Sequence, residues 1–164
     1  MYTAWYEGIS GKIRASGGAR ALRIADKALV FVVAAAYIGT AIWLAVTQDA
    51  HVVKFICVPA ATFVLATVLR MAINAPRPYE RYSIQPLFED DTRGKSLPSR
   101  HTASAFAIAC AFFWLNPIVG AIALVVAVAI AVLRIVGGVH FPRDIAAAIA
   151  LAAACAAIGF LAIP

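Results

Sequence analysis

Two histidines, a carboxylate and five arginines stand at the edges of apolar runs in this chain, in a pattern suited to handling phosphate. His101 ends the stretch GKSLPSRH (94–101), which leads straight into TASAFAIACAFFWL (102–115). His140 and Asp144 lie four residues apart in LRIVGGVHFPRD (133–144). Arg70, Arg77, Arg100, Arg134 and Arg143 all fall near the ends of apolar runs. A charge at the edge of a membrane span is costly and is functional by default. One arginine at a helix end is commonly a snorkelling anchor, but arginines and histidines converging from three separate loops exceed what anchoring needs. Guanidinium forks suit phosphate oxygens. A helix starting near His101 adds free backbone N–H groups and a positive dipole end. The two histidines then supply a nucleophile and a general acid. If a helix starts near Pro142, Asp144 can reach back to His140, fix its tautomer and leave the other ring nitrogen free to attack.

The elements that must position these groups are apolar helices. Of 164 residues, 63% are hydrophobic and 13% charged; mean hydropathy is +0.88. Soluble domains carry about 25% charge, so lipid is the solvent this composition asks for. Five apolar runs are expected to span: Ala28 to Thr47, Val52 to Ile73, Thr102 to Leu115, Ile118 to Val136 and Ile145 to Ile163. The third run alone has 14 residues, about 21 Å of helix against a hydrocarbon core of about 30 Å. Its helix is therefore expected to begin at Pro98 or Ser99, with Ser99 helping to satisfy first-turn N–H groups, which carries His101 toward the hydrocarbon edge. The fold class expected is an all-α polytopic bundle of about five transmembrane helices plus an N-terminal interfacial amphipathic helix.

Residues 1–26 form that amphipathic segment and residues 27–164 the transmembrane domain. Tyr2, Trp5, Tyr6, Ile9 and Ile13 recur at helical spacing, and Gly17-Gly18 should break the helix. Dispersed cations followed by a run of full spanning length do not read as a signal peptide. Asn74 to Leu97 is the one long loop. Its Glu89-Asp90-Asp91 patch lacks regular ligand spacing and reads as solvated. Cys57, Cys110 and Cys155 sit inside apolar runs and read as small buried residues. The net charge of +6 flanks spans, so lipid headgroups and an anionic substrate are the expected partners, not nucleic acid. With five alternating spans, 13 of the 14 Lys and Arg fall on the side that holds the histidines, and only Lys54 on the other. Setting aside the five arginines near the histidines leaves eight against one, which points that side to the cytoplasm.

Three segments resemble the motifs of the type 2 phosphatidic acid phosphatase (PAP2) superfamily: K-x6-R-P, P-S-G-H and S-R-x5-H-x3-D. They read here as RMAINAPRP (70–78), PSRH (98–101) and LRIVGGVHFPRD (133–144). The resemblance covers roughly residues 50–164. It implies a membrane lipid phosphatase that needs no metal or cofactor. His140 would be the nucleophile that forms a phosphohistidine, Asp144 would orient it, and His101 would protonate the leaving group and then activate water. Arg77 and Arg134 would hold phosphate oxygens, with Arg70 in place of the usual lysine. Ser99 and the N–H of Arg100 would complete the oxyanion cradle. Arg100 replaces a glycine and Leu133 a serine, changes that bear on substrate preference and delete no catalytic group. Many relatives have six spans; five are expected here. Transfer of the same phosphoryl group to a hydroxyl acceptor, and lipid binding without catalysis, are the alternatives; the presence of both histidines favours an enzyme.

Overall fold

The computed structural model describes residues 2–88 and 93–162; the Glu89-Asp90-Asp91 patch lies outside them. Helix α1 spans Tyr2–Ala15, α2 Ala19–Val46, α3 Val52–Ile73, the single turn α4 Pro78–Arg81, α5 Arg100–Leu115, α6 Pro117–Val136 and α7 Pro142–Ala156. A π-helical stretch, Ala157–Ala162, prolongs α7. No strand occurs among the described residues. Among these residues, α2, α3, α6 and prolonged α7 are long and apolar enough to cross a membrane. Helix α5, at 16 residues, reaches about 24 Å and falls short.

The bundle is turned outward. Phe31, Ile38, Ile42 and Trp43 of α2 and Ile122, Val125 and Val132 of α6 are exposed, as lipid-facing side chains must be when the solvent is hydrocarbon. The buried element is α5, which packs against α3, α6 and α7. Its alanines at 103, 105, 107, 109 and 111 are nearly or wholly inaccessible. Small side chains let helix backbones approach closely where no hydrophobic force separates protein from lipid. Phe55 of α3 meets Phe112 of α5 edge-on at 5.5 Å, and Trp114 stacks on Phe160 at 4.9 Å. At the far end, Asn116 caps α6: its Oδ1 accepts from the N–H groups of Ile118 and Val119, with Pro117 in the first helical position.

Two boundaries differ from those expected. Helix α2 begins at Ala19, nine residues before the apolar run, because Arg20, Arg23, Asp26 and Lys27 are accommodated as a polar first two turns. Helix α5 begins at Arg100 with Ser99 as the residue before it, so Pro98 stays outside the helix. Helix α1 is amphipathic, and its inward face rests on the loops of the bundle. Tyr6 is buried, its hydroxyl accepts the Leu87 N–H at 3.1 Å, and Ile13 packs with Leu87, Phe88 and Val139.

Gly120 marks the tightest α5–α6 approach, since a Cβ there would run into the backbone and ring of Phe113. Gly120→Val should cost about 2 kcal/mol through overpacking, read as a lower melting temperature of the purified protein in detergent.

Candidate active site

Three loops are stitched together at the end of the bundle where α3, α5 and α7 meet. Ser96 N–H donates to the Ala75 carbonyl at 3.0 Å, Ser99 N–H to the Asp144 carbonyl at 3.2 Å, and His140 N–H to the Arg134 carbonyl at 3.3 Å. The 74–77, 94–101 and 137–144 segments are thus one hydrogen-bonded unit, which satisfies their backbone groups away from water. Gly138 makes the turn before His140 with φ +77°, and the Tyr6 ring fills the space beside it, leaving no room for a Cβ. Leu87 and Phe88 both donate N–H groups to the Gly137 carbonyl, so α1 and the 82–88 segment hold the His140 turn from outside.

This unit encloses a cavity of about 310 Å³ lined by Arg70, Arg77, Lys95, Arg100, His101, Arg134 and His140, with Thr67 and Met71. Five cations face one small space with no carboxylate in its wall. Arg70 and Arg77 are buried. Arg77 is fixed from behind: its N–H donates to Glu80 Oε2 at 2.8 Å and its Nε to the Gly94 carbonyl at 3.2 Å. Glu80 Oε2 also accepts the Gly94 N–H. Lys95 enters the cavity unannounced by the sequence pattern. Arg143 does not enter it: its guanidinium stands over the Phe141 ring at 5.0 Å and its side chain is half exposed.

Behind the cavity His140 is 3% exposed. Its Nδ1 lies 3.6 Å from Asp144 Oδ2 and 3.4 Å from the Ser96 hydroxyl. Ser96 in turn donates to Asp144 Oδ2 at 2.5 Å, and the same oxygen accepts the Phe141 N–H at 2.9 Å. Asp144 occupies the third position of α7, where it reaches back to the residue before the helix. It is fully buried and touches the cavity only through His140. Burial pushes the His140 imidazole below its usual range, with nearby Arg77 adding to the effect and Asp144 opposing it. Burial and the neighbouring guanidinium thus both favour the neutral ring over the charged one.

Ser99 is placed differently from expectation. Its hydroxyl is buried, accepts from Thr102 Oγ1 at 3.1 Å and makes no bond to the first-turn N–H groups. It does not line the cavity. The first-turn N–H groups of α5 have no intrahelical carbonyl to pair with and stand at the cavity's edge with Arg100 and His101. Two partners went unnoticed in the sequence. Asp26 of α2, the last residue of the segment expected to be amphipathic, pairs with Arg134 at 2.9 Å. Ser96 lies inside GKSLPSRH, with nothing in the spacing to set it apart from its neighbours.

The family model of the PAP2 superfamily matches residues 51–164. The chain belongs to the PAP2 superfamily. Among solved structures it is similar to LpxE of Aquifex aeolicus, at 26% identity over 82% of each chain with a TM-score of 0.67. It also shares its fold with a transmembrane PAP2-type phosphatidylglycerolphosphate phosphatase of Bacillus subtilis, at 18% identity, TM-score 0.65, over 97% of this chain and 94% of that one. No functionally curated protein matches the chain. The family and these neighbours support a membrane lipid phosphatase.

If Ser96 fixes the Asp144–His140 pair, Ser96→Ala should lower kcat about tenfold, as expected for losing a hydrogen bond to a buried charge. KM should change little, because Ser96 does not line the cavity. Phosphate-release kinetics on a short-chain lipid phosphate check both numbers.

Proposed function

We propose that this protein hydrolyses a phosphate monoester or diphosphate of a membrane lipid through a phosphohistidine on His140. The observation that carries the reading is the buried imidazole whose Nδ1 is engaged by Ser96 and Asp144 at the back of a cavity lined by five cations. With Nδ1 occupied, Nε2 is the nitrogen left for phosphorus. Arg70, Arg77 and Arg134, with the Arg100 N–H, hold the equatorial oxygens as charge develops. Lys95 joins them; Ser99, whose N–H is committed to the Asp144 carbonyl, ties the α5 start to α7.

In the first step Nε2 forms the N–P bond and the P–O bond to the lipid breaks. His101 gives its proton to the departing oxygen. In the second, a water loses a proton to His101, its oxygen attacks phosphorus, the N–P bond breaks and inorganic phosphate leaves with His140 restored. Position separates the two roles: His140 carries Asp144 and Ser96 at its Nδ1, and His101 lines the same cavity from the start of α5. Each step is metal-independent in this scheme. Transfer to a lipid or sugar hydroxyl in place of water uses the same intermediate and is separated from hydrolysis by product analysis with an added acceptor.

His140→Ala should abolish phosphate release while the protein still inserts in membranes; wild-type turnover in that variant overturns the mechanism. Orthovanadate, which can take up the five-coordinate geometry at phosphorus, should inhibit, and EDTA should not.

We further propose that the chain resides in a bacterial plasma membrane with the cavity on the cytoplasmic face. The support is the cation excess on that side, of which Lys12, Arg14, Arg20 and Lys27 stand outside the phosphate cavity. A single thiol placed at exposed Ser83, in a chain lacking its native cysteines, should resist an impermeant maleimide in intact cells and react after permeabilisation. Labelling in intact cells reverses the assignment.

A further inference from the structure

Arg134, one of the arginines proposed to hold phosphate, is tied down at both ends of the residue. Its backbone carbonyl accepts the N–H groups of Val139 and His140, each at 3.3 Å, which joins the end of α6 to the turn that carries the nucleophile. Its side chain is joined to a helix outside the matched segment. Arg134 Nη2 donates to Asp26 Oδ2 at 2.9 Å, and α2 precedes residue 51, where the family match begins. Arg134 lines the cationic cavity and also an adjoining one of about 610 Å³; Asp26 lines only the second. Asp26 therefore grips the guanidinium from outside the phosphate space.

Packing alone does not account for this pair. The two side chains are 12% and 6% exposed, and the desolvation of two charges commonly cancels what their attraction returns. Helix α2 needs no such tie to dock. Val33 and Leu44 already sit in the core, with Leu29, Val30 and Tyr37 packed against it. An arginine in the last turn of a span commonly snorkels to the headgroups, and Arg134 stands in the last turn of α6. A charge-assisted bond to a buried carboxylate is short and directional, so it turns the fork inward and fixes its orientation.

Resting on the phosphatase reading above, we propose that Asp26 is a positioning residue that aims Arg134 at the oxygens of the five-coordinate phosphorus. Asp26 touches no reacting atom. Its contribution is to transition-state geometry and not to phosphate affinity, because the cations of the cavity remain when its charge is removed. Helix α2, which lies before all three motifs, then belongs to the active site.

The test uses the full-length protein in detergent micelles, phosphate release from a short-chain lipid phosphate, and the inhibition constants of orthovanadate and inorganic phosphate. Vanadate reads the five-coordinate geometry, and phosphate reads the tetrahedral ground state. Neither constant depends on the fraction of molecules that fold, so the pair of constants separates positioning from a structural role. Asp26→Asn keeps the shape and removes the charge. In that variant kcat should fall about tenfold and the vanadate constant rise about tenfold, while the phosphate constant stays within about twofold. Asp26→Glu, which keeps the charge and shifts it by one methylene, should raise the vanadate constant as well, by a smaller factor. A loss of kcat with both constants unmoved marks a purely structural pair and overturns the proposal. An equal rise in both constants also overturns it, since Asp26 would then act on ground-state binding. Unchanged kcat and constants in both variants overturn it outright. In each of these cases the wild type still turns over and the phosphatase reading stands. A wild type that releases no phosphate from any lipid phosphate defeats that reading instead.

Discussion

A sixteen-residue helix is too short to cross a bilayer on its own, and the placement of the catalytic groups depends on that shortfall. Unpaired N–H groups at the start of α5 are intolerable in lipid, but they are tolerable inside protein or at the wall of a polar cavity. Helices α3, α6 and α7 therefore wrap α5, and the loops at its N-terminal end fold inward over it. The cross-segment hydrogen bonds from Ser96 and Ser99 follow from the same need. A longer α5 would carry its first turn out to the headgroups, and His101 would leave the depth at which Arg70 and Arg134 enter from neighbouring helices.

The second condition is electrostatic. Five cations lining about 310 Å³ repel one another and lose hydration, a penalty that buried charges offset only through well-placed partners. Some of that relief is local: Glu80 holds the Arg77 backbone, the Gly94 carbonyl takes the Arg77 Nε, and Asp26 pairs with Arg134. The carboxylates act from outside the cavity wall, so the positive potential of the interior is left uncancelled. Asp144 follows the same logic on the histidine side, supporting the ring from behind without facing the phosphate. A carboxylate inside the wall would lower the repulsion and also compete with substrate.

Much of this was legible from the sequence because a charge in an apolar chain has few reasons to be there. The motif residues His101, His140, Arg70, Arg77 and Arg134 announced themselves by standing at the ends of runs, and the spacing of His140 and Asp144 anticipated the start of α7 at Pro142. What could not be read was cross-element proximity. Asp26 belongs to a helix far from the motifs in sequence, and only the packing of α2 on α6 brings it to Arg134. Ser96 gains its meaning from a backbone path that turns its hydroxyl to Asp144, whereas Ser99, the more obvious serine, is turned to Thr102. Arg143 sits beside a motif residue, but the helical turn at Pro142 directs it outward. Local pattern identifies which residues carry chemistry; the direction each side chain takes is settled by helix phase and by contacts distant in the chain.

Arg100 illustrates the point where family pattern and individual chain part. Its guanidinium lies 5.3 Å from the centre of the Phe63 ring, and its side chain lines both the cationic cavity and the apolar one. A glycine there would leave the two spaces open to each other. An arginine stands between them with one amphipathic side chain, its guanidinium over Phe63 of the apolar wall. The aromatic face of Phe63 keeps the charge near the boundary by cation–π attraction. A side chain so held narrows the passage between the two cavities. The constraint is one of shape as much as of charge, and a lysine, lacking the planar fork that stacks on the ring, would not reproduce it.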